Sequence, residues 1–210
     1  MNAPSLNELL QNYSANRLQL QAEGIYYLRD VDEETAERYS RDMLLMALAR
    51  EGRPESPITV YVNSPGGSVG AGFAMMEIAH RVLHIHRVPI NTVITGYAYS
   101  MAAVIAQVAS HRSMGSMSMM MIHSSSWSLS GEDSKIFRDY HKLAEHYQEL
   151  VSSVFASRTA HQSKTWWKRF IYSGHDRFLD AAECLKLGLV DEVLAYPDDP
   201  AQHQSRVFNR

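Results

Sequence analysis

Ser100 is a polar side chain at a position in the sequence where it could do chemistry. It follows a run that predicts a buried strand, residues 90–95, and it begins an apolar run that predicts a helix, residues 101–108. A free serine hydroxyl is a poor nucleophile, so it needs a base within hydrogen-bond reach and a third group that orients this base. The N–H groups at the start of the helix would lie near a developing oxyanion. Ser100 is therefore a candidate nucleophile for acyl transfer.

A base and an orienting carboxylate for such a serine occur further along the sequence. His123 ends the methionine-rich run 119–123, a predicted strand, and Asp176 lies in the segment Gly-His-Asp-Arg-Phe just after a predicted helical region. Each residue also has an ordinary structural interpretation. A lone strand-end histidine is more often structural, and an aspartate before an arginine usually forms a surface ion pair. Spacing alone therefore does not select these three residues as a catalytic group.

Ser68 is a second candidate nucleophile. Residues 66–70 read Gly-Gly-Ser-Val-Gly, which matches the G-x-S-x-G nucleophile elbow of α/β-hydrolases, and they lie between a predicted strand and a predicted helix. That fold usually has a longer chain, and the elbow needs an acid and then a histidine downstream. A plain turn is an equally good interpretation of the segment. Its first two glycines could also leave main-chain N–H groups uncovered for an oxyanion or an extended peptide.

Metal and thiol chemistry are not favoured by the sequence. Among ten histidines, His84 and His86 form the one close pair, and the sequence has no H-E-x-x-H motif or Cys/His cluster. We therefore expect surface histidines and no metal or cofactor. The single cysteine, Cys184, lies in an apolar stretch of helical character, which predicts a buried and inert thiol rather than a catalytic one.

The bulk composition is typical of an ordinary globular protein. The chain has 210 residues, of which 45% are apolar and 20% charged, and its formal net charge is -3. This charge gives no reason to expect a nucleic-acid partner. No apolar run approaches the ~20 residues of a membrane span, and residues 1–5 lack the character of a signal peptide. Because one cysteine cannot form an internal disulfide, a reducing cytoplasm is the expected location.

Strands and helices alternate along the sequence, which predicts an α/β fold with a largely parallel sheet. The predicted strands are 25–28, 58–62, 90–95, 117–122 and 189–194, and the predicted helices are 7–17, 32–50, 69–83, 101–108, 134–157 and 163–171. The long helix 134–157 carries an apolar stripe at helical spacing. We expect residues 1–196 to form a single domain and the polar residues 197–210 to form a flexible tail.

Several motifs, taken in order, resemble the Clp protease proteolytic subunit (ClpP) family, serine peptidases of the ClpP/crotonase fold. They are residues 61–68 (Tyr-Val-Asn-Ser-Pro-Gly-Gly-Ser), 96–101 (Gly-Tyr-Ala-Tyr-Ser-Met), 121–123 (Met-Ile-His), 176–179 (Asp-Arg-Phe-Leu) and 188–191 (Gly-Leu-Val-Asp). The resemblance covers about residues 15–195. It implies repeated β-β-α units and a protruding long "handle" helix at about residues 134–157.

The resemblance also implies roles for individual residues. Ser100 would be the nucleophile, His123 the general base and acid, and Asp176 the orienting carboxylate of a catalytic triad. The backbone N–H groups of Gly67 and Met101 would form the oxyanion hole. The segments that pair with an extended peptide as added strands would include Gly66, Ser68 and Val69, and, after the histidine, Ser124 and Ser125. This chain order of serine, histidine and aspartate is compatible with triad geometry.

The family resemblance further implies a homo-oligomer. Seven subunits would form a ring, and two stacked rings, a tetradecamer, would enclose a chamber in which unfolded proteins are hydrolysed. The handle helix would mesh one ring with the other. The sequence contains no G-x-x-x-x-G-K-[ST] motif, so a separate AAA+ ATPase would have to unfold and feed the substrates.

The sequence departs from the family pattern at several positions. Ser125 stands where the family usually has proline, and Tyr97 and Tyr99 replace smaller residues before the nucleophile. Tyr99 either narrows the substrate pocket or packs in the core. The short N-terminal stretch puts pore gating and ATPase docking in doubt. Two alternative functions remain open, a phage-type head-maturation protease with the same triad and a catalytically idle ring subunit. A crotonase-type acyl-CoA enzyme would not need the complete trio.

Overall fold

The structure, a computed structural model, describes residues 15–124 and 134–195, with the backbone alone for residues 134–138. The strands are β1 (Ile25–Leu28), β2 (Ile58–Ser64), β3 (Ile90–Tyr99), β4 (His111–Gly115), β5 (Met119–Ile122), β6 (Arg177–Asp180) and β7 (Glu192–Leu194). The helices are α1 (15–22), α2 (Glu33–Arg50), α3 (Val69–His84), α4 (Met101–Ile105), α5 (Ser134–Arg158), α6 (Lys164–Ile171) and α7 (Ala181–Leu187). A 3₁₀ turn, η1 (Ala106–Val108), directly continues α4.

The strands form one seven-stranded sheet. Five of them run parallel in the order β1-β2-β3-β4-β7. Strand β5 also pairs in parallel with the far end of β3, at residues 97–99, and it pairs antiparallel with β6. The predicted α/β fold with a largely parallel sheet is therefore confirmed. The divided pairing of β3, first with β4 and then with β5, brings the end of β3 beside the end of β5.

The core lies between the sheet and the helices. Alternate residues of β2, namely Ile58, Val60 and Val62, are almost completely buried, as expected for a strand with one face on the core. Met43 of α2 and Met75 of α3 are fully buried as well. Full burial of an aliphatic side chain of this size contributes roughly 1.5–3 kcal/mol, so this layer holds β2 and β3 in place beneath the two helices.

Capping side chains mark the first turns of two of the predicted helices. Asp32 caps α2 by accepting a hydrogen bond from the Thr35 N–H at 2.7 Å, and Ser163 caps α6 in the same way by accepting from the Trp166 N–H. Such caps satisfy backbone donors that have no partner inside the helix. The predicted helices 32–50, 69–83 and 163–171 are confirmed to within two residues.

Several boundaries differ from the prediction. Strand β3 runs on to Tyr99 because, after a register irregularity in its pairing with β2 near Ser64, it gains β5 as a new partner. The predicted helix 101–108 divides into α4 and η1, and residues 117–118 precede β5 instead of belonging to it. Strands β4 and β6 were not predicted, since short strands leave little periodicity to read, whereas the stretch of helical character around Cys184 is α7.

Some predicted segments lie outside the described residues. Of the predicted helix 7–17, residues 15–17 belong to α1, which continues to residue 22. The tail 197–210 and the segment around Ser125 are likewise not described. Among the residues that are described, no helix is both long and apolar enough to cross a membrane.

A buried ionic network joins the C-terminal part of the chain to the sheet. Arg112 of β4 donates hydrogen bonds from Nη2 and Nε to the carboxylate of Asp191, at 2.5 and 3.0 Å, and from Nη1 to Oε1 of Gln107 at 2.7 Å. Burial alone would raise the pKa of Asp191, but the hydrogen bonds and charge of Arg112 hold this pKa below its ordinary value. Arg112 is thus a buried cation whose charge and donors are fully partnered.

Candidate active site

Ser100 occupies a strained turn between β3 and α4. Its backbone has φ of 53° and ψ of -123°, a left-handed region that L residues rarely adopt. Its N–H donates to the Met121 carbonyl of β5 at 2.8 Å, which fixes the turn against the neighbouring strand. Its side chain does not cap α4. A non-glycine residue in such a conformation costs about 1–3 kcal/mol and is characteristic of functional sites.

His123 lies directly beside this serine. It follows β5, whose parallel register pairs Met121 with Tyr99, so the residue after β3 and the residue after β5 meet at one edge of the sheet. The Oγ atom of Ser100 and the Nε2 atom of His123 are 2.8 Å apart, within hydrogen-bond distance. The two predicted residues are therefore in direct contact.

Asp176 reaches the same histidine from the other side. Strands β5 and β6 are antiparallel, and Ile122 pairs with Arg177, so the two residues just beyond this pair, His123 and Asp176, face each other. Nδ1 of His123 lies 3.6 Å from Oδ1 of Asp176, which is an ion-pair distance but longer than a hydrogen bond. The Asp176 side chain is 56% exposed, against 26% for His123. The imidazole of His123 thus lies between the hydroxyl of Ser100 and the carboxylate of Asp176.

The glycine turn after β2 packs against the Ser100 turn. A Cβ atom at Gly66 would lie 2.5 Å from the Tyr99 carbonyl oxygen and 2.9 Å from the Met101 nitrogen, and one at Gly67 would lie 2.1 Å from the Val31 carbonyl oxygen. Both glycines have positive φ, 89° and 149°, so other residues would be strained there and would also clash. Gly66 therefore packs directly against the backbone of residues 99–101, and Gly67, the next residue, packs against Val31.

The backbone N–H groups at this turn differ in their hydrogen bonding. The N–H of Ser68 donates to the Val31 carbonyl at 2.7 Å, whereas the N–H of Gly67 has no such bond within the described part of the chain. Met101 is the first residue of α4, a position whose N–H has no acceptor within the helix. In the described part of the chain, neither of these two N–H groups donates a backbone hydrogen bond.

Ser100, His123 and the glycine turn line a cleft of about 590 Å³. Its lining residues come from the glycine turn and the start of α3 (Pro65, Gly67, Ser68, Val69 and Gly70), from the ends of β3 and β5 (Ser100, Met121 and His123) and from α5 (Leu143 and Tyr147). The Tyr147 ring stacks on Phe73 of α3, with ring centroids 5.6 Å apart. The cleft is large enough for a small ligand or a few side chains of a peptide.

Ser68 has different partners from Ser100. Its Oγ accepts from the Ala71 N–H at 3.3 Å and so caps α3, and it donates to Oε1 of Glu33 at 3.0 Å. Among the residues that the structure describes, it has no histidine partner. Ser68 therefore lines the cleft without the base that a nucleophile elbow needs.

Of the remaining predicted site residues, the structure describes all but one. Gly66 and Val69 lie at the glycine turn and the start of α3, and Ser124 follows His123 and is half-buried. Ser125 lies outside the described residues. Cys184 is fully buried, and burial together with Asp180 and Glu183 raises the pKa of its thiol to about 12, so it remains protonated at neutral pH.

The two tyrosines before Ser100 form a small aromatic group. Tyr97 and Tyr99 lie with ring centroids 4.8 Å apart, and Tyr99 meets Phe178 of β6 edge-on at 5.8 Å. Tyr97 is exposed and Tyr99 is half-buried, so Tyr99 is not a core residue. Within the described residues, neither ring lines the cleft.

Sequence reasoning missed the wall that α5 contributes to the cleft. Leu143 and Tyr147 belong to the apolar stripe of the predicted long helix, but helical periodicity does not tell which surface a stripe covers. Met121 was also missed as a lining residue. The available signal was its place two residues before His123 on a strand whose other face is buried.

A family model described as Clp protease matches residues 8–197. The chain belongs to the Clp protease family. The α/β fold with its parallel sheet is consistent with the fold of that family, and membership supports a peptidase role for the chain.

Curated relatives agree with the family match. The chain is 29% identical over 191 residues to a protein of Bacteroides fragilis named ATP-dependent Clp protease proteolytic subunit, which covers 90% of this chain and 77% of the relative. It is 30% identical over 172 residues to a protein of the same name from Bacteroides thetaiotaomicron, covering 81% of this chain and 73% of the relative.

Proposed function

We propose that the chain is a serine endopeptidase in which Ser100, His123 and Asp176 form the catalytic triad. The observation that carries this proposal is the 2.8 Å contact between Ser100 Oγ and His123 Nε2 at the base of the cleft. An alcohol becomes an effective nucleophile when a base lies within hydrogen-bond reach and a third group orients that base. The membership of the chain in a peptidase family supports the same reaction class.

The reaction proceeds by acyl transfer. Ser100 Oγ attacks the carbonyl carbon of the scissile peptide bond while its proton passes to Nε2 of His123. The same proton is then given to the leaving amine nitrogen, so that the C–N bond breaks and an ester to Ser100 remains. Water attacks this ester with His123 as the base, which releases the carboxylate product and restores the serine hydroxyl.

Asp176 holds the imidazole in the productive orientation. Its carboxylate faces Nδ1 of His123, and a hydrogen bond there would keep the proton on Nδ1 and leave Nε2 free to accept. The 3.6 Å separation is longer than such a bond, and catalytic contacts often tighten when substrate binds. The imidazolium formed during attack would also be stabilised by this carboxylate.

The oxyanion is stabilised by the backbone N–H groups of Gly67 and Met101. Support comes from the packing of the glycine turn against Ser100 and from the first-turn position of Met101 in α4. Donors that are fixed in advance at the place where charge develops lower the barrier by about 3–4 kcal/mol each.

The substrate binds in an extended conformation. Residues Gly66 to Val69, together with Ser124 and Ser125, which follow His123 in the sequence, would add the peptide as a strand. Main-chain pairing of this kind fixes the scissile bond without demanding a particular sequence, which suits an enzyme that degrades unfolded proteins.

The peptidase assembles as a homo-oligomer of two stacked heptameric rings, with α5 as the handle between them. Support comes from the unequal burial of the apolar stripe of α5. Val151 and Phe155 are buried within the chain, whereas Tyr140, Leu143 and Leu150 are between 36% and 42% exposed. Apolar residues exposed in a row on a helix are suited to contact with another subunit.

A separate AAA+ ATPase supplies unfolded substrate to this chamber, since the sequence has no nucleotide-binding P-loop motif. We place the activity in the cytoplasm. Support for this location comes from the single cysteine, which is free and buried and so does not depend on an oxidising compartment.

Labelling with a serine-reactive fluorophosphonate tests the assignment of the nucleophile. We expect a single adduct on Ser100, located by peptide mapping, in the wild-type protein and in a Ser68→Ala variant, and no adduct in Ser100→Ala. An adduct on Ser68 would show that Ser68, and not Ser100, is the nucleophile. Absence of any adduct in an assembled particle would instead mark an idle ring subunit.

Analytical ultracentrifugation tests the assembly separately. We expect a particle of fourteen or seven subunits, and substitution of an exposed stripe residue, Leu150→Glu, to reduce its size. The conservative change Leu150→Met is the matched control and should assemble normally. A stable monomeric wild-type protein would contradict the chamber but would leave the triad proposal intact.

A further inference from the structure

A second cavity lies at the C-terminal half of α3. It has a volume of about 350 Å³ and is lined by this half of α3, the end of η1 and the last turn of α5. It shares no lining residue with the catalytic cleft. Gly70 of the cleft and His80 of this cavity are ten residues apart on α3, which corresponds to about 15 Å along the helix. The cavity is in the size range of small-molecule sites, about 300–1,000 Å³.

Arg158 provides a half-buried positive charge at this cavity. Its Nη2 donates to the Ala109 carbonyl oxygen at 2.7 Å, and its Nε is buried without a hydrogen-bond partner. No carboxylate in the described part of the chain lies within ion-pair distance of it. Burial and the charge of Arg112 lower the pKa of Arg158, and Asp191 acts in the opposite direction. Cations removed from water normally have a counter-charge, as Arg112 does.

Two histidines of the cavity lining add potential positive charge. His80 and His84 are one turn apart on α3, with their rings stacked at 5.7 Å between centroids, and both line the cavity. Burial lowers the pKa of His80, and His84 and Arg158 lower it further, while Glu77 opposes them. An anion between these groups would reduce their mutual repulsion and favour the protonated imidazoles.

The rest of the cavity wall is apolar. Leu83, Val108 and Val154 line it together with Met76. An inorganic anion would leave this surface in contact with water, whereas an anion with an apolar body would cover it, at about 25 cal/mol per Å² of apolar area removed from water. A metal ion is disfavoured because Arg158 repels it and because no group of three metal-ligating side chains exists among the described residues.

We propose that this cavity is a binding site for a small organic carboxylate with an apolar body. The carboxylate lies between the Arg158 guanidinium and the imidazoles of His80 and His84, and its apolar part rests on Leu83, Val108 and Val154. A guanidinium and a carboxylate match in geometry, and such charge-assisted hydrogen bonds are about twice as strong as neutral ones.

Isothermal titration calorimetry of the assembled wild-type protein tests this site with hexanoate as the probe. We expect saturable binding with a dissociation constant of about 1 mM or tighter. Hexanamide, which has the same shape without the charge, and inorganic phosphate, which has charge without the apolar body, should each bind at least about tenfold more weakly.

Variants locate the binding to this cavity. Arg158→Gln should weaken hexanoate at least about tenfold by removing the charge, and Ser157→Phe should abolish binding by filling the cavity from an exposed position on α5. His141→Gln, which replaces an exposed histidine on α5 outside the cavity, is the matched control and should bind as the wild type does. Ser157→Phe keeps the test decisive if Arg158→Gln does not fold.

The pH dependence of binding tests the histidines. Hexanoate remains ionised from pH 8 to pH 6, because carboxyl pKa values lie near 4. Binding should therefore tighten as the pH falls towards the lowered pKa of His80 and this imidazole becomes charged, and this change should disappear in His80→Gln. The proposal is overturned if hexanoate does not saturate below about 10 mM, if hexanamide or phosphate binds equally well, or if Ser157→Phe leaves binding unchanged.

Discussion

Ser68 and Ser100 each stand between a parallel strand and a helix, yet the structure gives their hydroxyl groups different partners. Ser68 has φ of -57°, caps α3 and donates to Glu33. Ser100 has φ of 53°, makes no cap and contacts His123. Both serines line the same cleft, so exposure to substrate does not distinguish them.

The difference shows how a backbone conformation decides what a serine can do. A hydroxyl in the N-cap position is held by the helix N–H groups and points along the helix axis. In the strained Ser100 turn the hydroxyl is directed away from those N–H groups and towards the end of β5. The G-x-S-x-G pattern marks Ser68, but the pattern contains no information on this conformation. The catalytic assignment therefore follows the strained turn and its partner histidine.

The largest expected effect comes from removing each hydroxyl in turn. Ser100→Ala should lower kcat for a peptide substrate by at least about 10³-fold, and by up to about 10⁶-fold if the triad acts as a unit. Ser68→Ala should retain kcat within about threefold, because it leaves the triad and the backbone donors in place. Steady-state hydrolysis of a fluorogenic peptide measures both variants. Similar losses in the two would show that the contrast between the serines is wrong.

Asp176→Asn should have the next largest effect. An amide in place of the carboxylate cannot stabilise the imidazolium and favours the wrong tautomer of His123. Because the residual triad still contains nucleophile and base, we expect the loss in kcat to be about 10- to 100-fold smaller than in Ser100→Ala. Asp180→Asn is the matched control, since Asp180 ends β6, the strand that follows Asp176, and caps α7; its kcat should be that of the wild type.

Gly67→Ala tests the backbone on which both serines depend. A Cβ atom there would meet the Val31 carbonyl oxygen at 2.1 Å, so the turn must move and displace the N–H assigned to the oxyanion. We expect kcat to fall about 10²–10³-fold with Ser100 intact. Gly52→Ala is the control, since Gly52 also has positive φ but no atom within 4 Å of the added Cβ. Equal kcat values in the two glycine variants would remove Gly67 from the oxyanion hole.

Much of the fold could be read from the sequence because local signals determined it. Asp32 and the apolar spacing of residues 36–47 predict α2, and the β-branched run 58–62 predicts β2. The site was harder, because the contact between His123 and Asp176 depends on the antiparallel pairing of β5 with β6, and β6 was not predicted. Spacing along the chain carries no information on strand pairing, so Ser100, His123 and Asp176 were predicted together only from the family resemblance. The cavity at Arg158 could not be predicted from the sequence either, since it is formed by three elements distant in sequence.

The smallest expected effect is on the stability contributed by Ser68 as a cap. Ser68→Ala removes the acceptor for the Ala71 N–H and the hydrogen bond to Glu33, which should lower the free energy of unfolding by about 1 kcal/mol. For a domain of this size that corresponds to a decrease in Tm of about 2–4 °C. Ser68→Thr keeps a hydroxyl that can cap α3, so its free energy of unfolding should fall by less than that of Ser68→Ala. Thermal unfolding followed by circular dichroism measures both variants. If Ser68→Ala instead left Tm unchanged while lowering kcat, the Ser68 hydroxyl would be acting on the substrate and not on the helix. The proposed contrast, in which Ser68 is structural and Ser100 catalytic, would then be wrong.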